Sequence, residues 1–155
     1  MSLEPLQTAS GSDFPCCHQL SVFVENRLGQ FLRLTRYFEN TDLKILAVMI
    51  LPANECAVVR MIVNHPEAAR TALVEAGFSV TETDVLVVEL PQGKRGIRSI
   101  CEALIAAEVN MEYIYPLFPL KKFEACLAIQ SDERPQAAAV LINRQFRLID
   151  QSELT

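Results

Sequence analysis

Basic residues are in the minority in this chain: 14 Lys and Arg stand against 19 Asp and Glu, a formal net charge of −5. Such a balance leaves no electrostatic footprint for nucleic acid. No run of about eighteen apolar residues occurs, so no segment is suited to span a membrane. The cysteines Cys16, Cys17, Cys56, Cys101 and Cys126 are odd in number and contain no C-x-x-C, which argues for reduced thiols rather than a disulfide framework. Cys16-Cys17-His18 is the one cluster with metal-ligating chemistry, but the other histidine, His65, is remote in sequence. A structural zinc site needs four ligands, so no metal is expected. G-x-S-x-G, H-E-x-x-H and P-loop patterns are missing too, so no nucleophile or nucleotide cradle announces itself. Glu82 and Asp84 read as a solvated strand edge. No catalytic residue and no cofactor are expected. Met1 to Pro15 lacks the basic and apolar regions of a signal peptide, so residues 1–17 read as a flexible tail and the expected location is the cytoplasm.

Half of the residues are apolar and 21% are charged, enough for a packed core. The apolar framework is written twice. Leu20, Val22 and Val24 recur 66 positions later as Leu86, Val88 and Leu90, and Phe31, Leu34 and Phe38 as Ile97, Ile100 and Leu104. Past Pro52 the offset becomes 68: Val59 and Met61 meet Leu127 and Ile129, and Leu73 and Phe78 meet Leu141 and Phe146. Because the matches are core positions, the repeat is one of structure. It divides the chain into residues 18–83 and 84–155.

Alternation from Leu20 to Val24 predicts a strand, and the loop through Gly29 leads into a helix from Gln30 to about Asn40. Leu43–Leu51 and Glu55–Val63 read as a hairpin about Pro52-Ala53-Asn54. Pro66 opens a second helix that Gly77 stops, and Phe78–Thr83 is the fourth strand. The second copy repeats the order. Val85–Leu90 leads to a helix with the stripe Ile97, Ile100, Cys101, Leu104 and Ile105; strands Asn110–Leu117 and Phe123–Gln130, a helix from Pro135 and a strand Phe146–Asp150 follow. The order β-α-β-β-α-β is that of the ferredoxin-like fold. The fold class is therefore α+β, two tandem units expected side by side in an antiparallel sheet with the helices on one face. The opposite face is expected to be bare, with Phe23, Ala57 or its neighbours, and Tyr113 or Tyr115 pointing that way.

Val22-Phe23-Val24-Glu25-Asn26-Arg27-Leu28-Gly29 runs from a strand through a tight Asn-x-x-Gly loop into a helix. With the element order and the duplication, this resembles the ACT domain, a small amino-acid-sensing regulatory unit, over nearly all of the chain as two copies. The resemblance implies an effector held at a seam, between the first loop of one copy and the start of the second strand of the other. Asn26, with Arg27, Leu28, Gly29 and Gln30, matches the loop; Asn110, with Met111 and Glu112, matches the strand start. A carboxamide both donates and accepts, as a zwitterion requires, and free N–H groups at the start of the Gln30 helix suit an α-carboxylate. Turn chemistry alone would also select Asn and Gly there. The mirror-related second site departs from the pattern. Gln92 replaces the loop Asn, Lys44 stands opposite, and Gln92-Gly93-Lys94-Arg95-Gly96 shifts its glycine.

The function these features imply is that of a non-catalytic sensor binding an amino acid or related metabolite at the seam between the repeats. The alternative is a ligand-independent regulatory subunit of an amino-acid biosynthetic enzyme. Candidate partners are the amino-acid effector, a metabolic enzyme and a second copy of the chain.

Overall fold

The computed structural model describes residues 13–25, 29–93 and 96–155. The elements run β1 (Cys17–Glu25), α1 (Gln30–Arg36), β2 (Ile45–Pro52), β3 (Cys56–Val63), α2 (Pro66–Glu75), β4 (Ser79–Glu89), α3 (Gly96–Ala106), β5 (Tyr113–Pro116), β6 (Cys126–Gln130) and α4 (Arg134–Asn143), with a closing 3-10 helix at Gln151–Leu154. The chain forms two compact units. One is His18–Thr83; the other is Asp84–Leu154, joined by the segment that ends at Cys17.

In the first unit the strand order is β2-β3-β1-β4. Leu20, Val22 and Val24 project to one face of β1, as alternation dictates. They meet Val59, Met61 and Val63 of β3, Leu34 of α1, and Ala69 and Leu73 of α2 in one core. In the second unit the order is β4-β6-β5, with Leu148 bridged to Val88 on the outer side of β4. Its core gathers Leu86, Val88, Leu127 and Ile129 beneath Ile100, Ala103 and Leu104 of α3 and Ala137, Ala138 and Leu141 of α4. Each unit is thus a β-α-β-β-α-β fold with both helices on one sheet face.

The repeat extends to the pairing register. Leu20 pairs with Met61 and Val22 with Val59; their counterparts Leu86 and Val88 pair with Ile129 and Leu127. Likewise Val48 pairs with Met61 and Ile50 with Val59, and Ile114 pairs with Ile129 and Pro116 with Leu127. The two-residue change of offset therefore lies wholly in the β5–β6 connection, and these pairs keep the same register in both units; β2 carries a bulge between Ile45 and Ala47.

Several sequence expectations are corrected. The helix α1 ends at Arg36 instead of Asn40. The Thr35 hydroxyl donates back to the Leu32 carbonyl (2.8 Å), and Phe38 and Glu39 donate to carbonyls three residues back, the tightening that ends an α-helix. The last strand shrinks to the single Leu148 bridge. Just beyond it Asp150 Oδ2 accepts from Ser152 N (3.1 Å) while Glu153 Oε2 accepts from Asp150 N (2.9 Å). This reciprocal cap starts the 3-10 helix and turns the chain out of extended geometry.

On α3 only part of the expected stripe is core: Ile100 and Leu104 are buried, but Ile97 is 56% and Ile105 71% exposed. The helix is rotated so that small Gly96 and Ala103 face inward with them, which lets the backbone approach its neighbours closely. Ala57 belongs to the helix-side core, not the opposite face. That opposite face is not bare in the second unit, where Val85, Val87, Ala128 and Tyr115 are buried. Phe14, Cys16 and Cys17 are not loose either. Phe14 and Cys16 pack in the second core, and Cys17 opens β1 with its thiol donating to the Ile149 carbonyl (3.3 Å).

Candidate functional site

The loop after β1 closes at Gly29, whose φ of +98° lies in the left-handed region. A Cβ there would have nothing within 4 Å, so glycine is required by the backbone angle and not by lack of room. The Gly29 carbonyl accepts from Arg33 N (2.8 Å) and so starts α1. Gln30 is half-buried at the first helical position. Asn26, Arg27 and Leu28 lie outside the described residues. A residue not anticipated from sequence fixes this end of the unit. The Arg33 guanidinium donates to the Ala76 carbonyl (3.1 Å) and covers the Phe78 ring at 4.7 Å, placing a cation at the C-terminus of α2, where the helix dipole favours it.

The second set of expected residues, Asn110, Met111 and Glu112, lies in the approach to β5 and not within the strand. α3 ends with Glu108 at φ +56°. Glu108 N donates to the Ile105 carbonyl (2.9 Å) and Val109 N to the Leu104 carbonyl (3.0 Å); these two bonds are a Schellman cap. Asn110 is then clamped by its backbone. Its carbonyl accepts from the fully buried Ser131 hydroxyl (2.6 Å), and its N–H points to Glu133 Oε2 (3.4 Å). Ser131 Oγ also accepts from Glu133 N (3.1 Å). The Asn110 carboxamide is exposed and makes no hydrogen bond to a described residue. Met111 packs against the second core. Glu112 is exposed, its N–H bonded to the Gln130 carbonyl (2.8 Å).

The first unit builds the same clamp with different chemistry. There the buried Asn64 carboxamide accepts from Lys44 N (2.8 Å) and donates to the Asp42 carbonyl (2.8 Å). Lys44, at the position equivalent to Asn110, is exposed. One repeat therefore commits an asparagine side chain to structure and presents a lysine. The other delegates the structural task to Ser131 and Glu133 and leaves an asparagine side chain outside the clamp. The sequence signal for this was a polar residue just before each proline-initiated helix, Asn64 before Pro66 and Ser131 before Pro135.

In the β4–α3 loop, Gln92 Nε2 donates to Glu124 Oε1 (3.2 Å). Gly93 has φ +104°. Gly96 is the glycine that space requires, because a Cβ would stand 2.8 Å from the Pro91 carbonyl oxygen. Lys94 and Arg95 lie outside the described residues.

Elsewhere Glu82 is not simply a solvated edge. Its Oε1 lies 3.1 Å from His18 Nδ1, and its Oε2 lies 3.9 Å from Arg70. Burial pushes the Cys17 thiol well above its ordinary range, with the neighbouring Cys16 and Asp150 adding to the shift. Burial, aided by Glu89, pushes Cys126 up to about 11. Neither thiol is a thiolate nucleophile at neutral pH. Among the described residues no group of three or more His, Cys, Asp or Glu side chains could hold a metal ion. No helix among them is long and apolar enough to cross a membrane.

Two tandem ferredoxin-like units with a glycine-closed first loop and a clamped entry to the second hairpin define the class: a paired regulatory fold. The chain belongs to the ACT domain pair family, which matches residues 16–155. It is similar to protein BT0572 from Bacteroides thetaiotaomicron, at 26% identity and a TM-score of 0.82, covering 92% of this chain and 98% of that one. The regulatory subunit of aspartate kinase from Thermus thermophilus shares the fold at 12% identity and a TM-score of 0.55, over 82% of this chain and 91% of that one. The corresponding subunit from Thermus flavus shares it at 11% identity and a TM-score of 0.52, over 84% and 94%. No curated protein matches the chain.

Proposed function

We propose that this ACT pair is a non-catalytic sensor of an amino acid or related metabolite, with Asn26 of the first repeat and Asn110 of the second as its carboxamide ligands. The observation that carries the reading is Asn110, whose backbone is held at both ends while its exposed carboxamide has no hydrogen-bond partner among the described residues. A positioned carboxamide can accept from an ammonium group and donate to a carboxylate. Gln30, at the start of α1, is assigned with Asn26 to the same ligand, and Met111 and Glu112 are assigned with Asn110. Lys44 and the Gln92–Gly96 loop form the weaker counterpart. The sensor works in the cytoplasm, in keeping with a cysteine pattern that is odd in number and has no C-x-x-C, and passes its state to a metabolic enzyme.

The likeness to regulatory subunits of aspartate kinase supports a second reading, a regulatory subunit of an amino-acid biosynthetic enzyme that binds no ligand of its own. A thermal-shift screen of the twenty amino acids on the isolated chain separates the two. The sensor responds to one or a few of them; the ligand-independent subunit responds to none.

A further inference from the structure

The connection from β5 to β6 opens with Pro116-Leu117-Phe118-Pro119-Leu120-Lys121-Lys122, and two prolines set its conformation. Each fixes its own φ at about −65° and pushes the residue before it, Tyr115 or Phe118, into extended geometry. The ladder stops at Pro116, which pairs with Leu127. One further bond, from Leu117 N to the Cys126 carbonyl (3.0 Å), ties the segment down. Phe118, Pro119 and Leu120 make no backbone hydrogen bond to a described residue. Extended, proline-fixed chain without internal hydrogen bonds is the polyproline II state, which repeats every three residues. Exposure follows that period. Leu117 is buried and Leu120 half-buried, whereas Pro116 with Pro119, and Phe118 with Lys121, are exposed. The two leucines therefore seat one edge of the segment on its own unit and leave the other two edges to solvent.

We infer that residues 116–121 are a docking segment for a partner protein whose groove is lined by aromatic side chains and rimmed by carboxylates, the chemistry of an SH3-type groove. The two proline rings lie about 9 Å apart on one edge, each suited to a slot between aromatic rings. A segment already held in this conformation gives up little entropy on binding. Phe118, 51% exposed, adds apolar surface on the neighbouring edge. Lys121 follows it on that edge and meets the carboxylate rim, which fixes the direction in which the segment lies. Residues 113–123 contain no acidic side chain to oppose that contact. A lipid surface would use Phe118 and the lysines but has no use for the proline spacing, so the spacing favours a protein groove.

The test is isothermal titration calorimetry of the full chain with an isolated SH3 domain that reads P-x-x-P followed by a basic residue, with circular dichroism as the check on folding. The wild type is expected to bind saturably, one to one. Pro119→Ala and Lys121→Glu should each weaken binding at least about tenfold. Arg36→Glu, an exposed charge change in the first unit, should leave it unchanged. Should Pro119→Ala disturb the fold, Lys121→Glu at an exposed position remains decisive. A wild type that does not bind overturns the inference. So does binding that Pro119→Ala leaves intact in a folded chain, or that Arg36→Glu weakens as much as Lys121→Glu. Co-sedimentation with phosphatidylserine vesicles that falls with Phe118→Ala but not with Pro119→Ala would assign the segment to a lipid surface and overturn it as well. None of these residues belongs to the proposed amino-acid site, so failure here leaves that reading untouched.

Discussion

At Gln145 the backbone adopts φ +68°, the left-handed conformation that Gly77 takes at +93° in the equivalent place of the first repeat. Both helices end alike. Gly77 N and Phe78 N donate to Val74 and Leu73, and Gln145 N and Phe146 N donate to Ile142 and Leu141. Gly77 was legible as a helix stop because only glycine takes this conformation freely. Gln145 and Glu108 gave no such signal, because their conformation is imposed by the cap and by the Phe146 and Val109 that follow. Gln145→Gly should therefore stabilise the fold by about 1 kcal/mol, and Gly77→Ala should destabilise it by about 1–2 kcal/mol. Urea denaturation measures both. The buried thiols set a pH dependence at the same scale. Cys126 is raised to about 11, and its S–H donates to the Glu124 carbonyl (3.4 Å). Folding therefore favours its protonated form. The contribution is complete below the unfolded-state value of about 8.5 and is lost as pH rises from there towards 11. Cys126→Ser should flatten the loss of stability over that alkaline window, as read from denaturation midpoints at successive pH values.

The helix α3 shows where periodicity stops informing. Its five apolar residues Ile97, Ile100, Cys101, Leu104 and Ile105 span too wide an arc for one contact face. Nothing in the pattern says which edge faces inward. The inert-looking Gly96 and Ala103 decided it, because close packing needs small residues at the nearest approach. Leu104→Ala should cost about 2–5 kcal/mol, as for a buried leucine, while Ile105→Ala should change monomer stability by less than about 0.5 kcal/mol. Chemical denaturation under conditions that keep the chain monomeric tests the contrast. Equal costs at the two positions would contradict the observed rotation. Element order and strand pairing were legible because alternation and helical period are strong local signals. The shortening of α1 and of the last strand was not, because both endings arise from side-chain hydrogen bonds by Thr35, Asp150 and Glu153 that compete with continuation.

For the whole molecule, duplication preserved the frame and released the side chains. Leu20 and Leu86, Leu34 and Ile100, and Leu73 and Leu141 are all buried, while Lys44 and Asn110 diverged at one equivalent position. The repeat made the core readable from sequence. It also pointed to Asn110, but it could not reveal that Ser131 and Glu133 free its side chain from structural duty, since those contacts cross 21 and 23 residues. A ligand at a hundred times its dissociation constant should stabilise the fold by about 2.7 kcal/mol. Asn26→Ala and Asn110→Ala should each abolish that gain with little change in the free protein. Gln92→Ala should retain it. A full response from both asparagine variants would refute the proposed ligands.

The β5–β6 connection holds two more residues than its counterpart, yet Pro116 still faces Leu127 as Ile50 faces Val59. Added length has been absorbed outside the ladder, as the weak dependence of loop closure on length allows. The exposed Lys121-Lys122 turn is therefore a natural splice point. A short epitope or fluorophore-binding peptide spliced between these lysines should leave the far-ultraviolet spectrum and thermal midpoint close to those of the parent, giving an internally tagged protein.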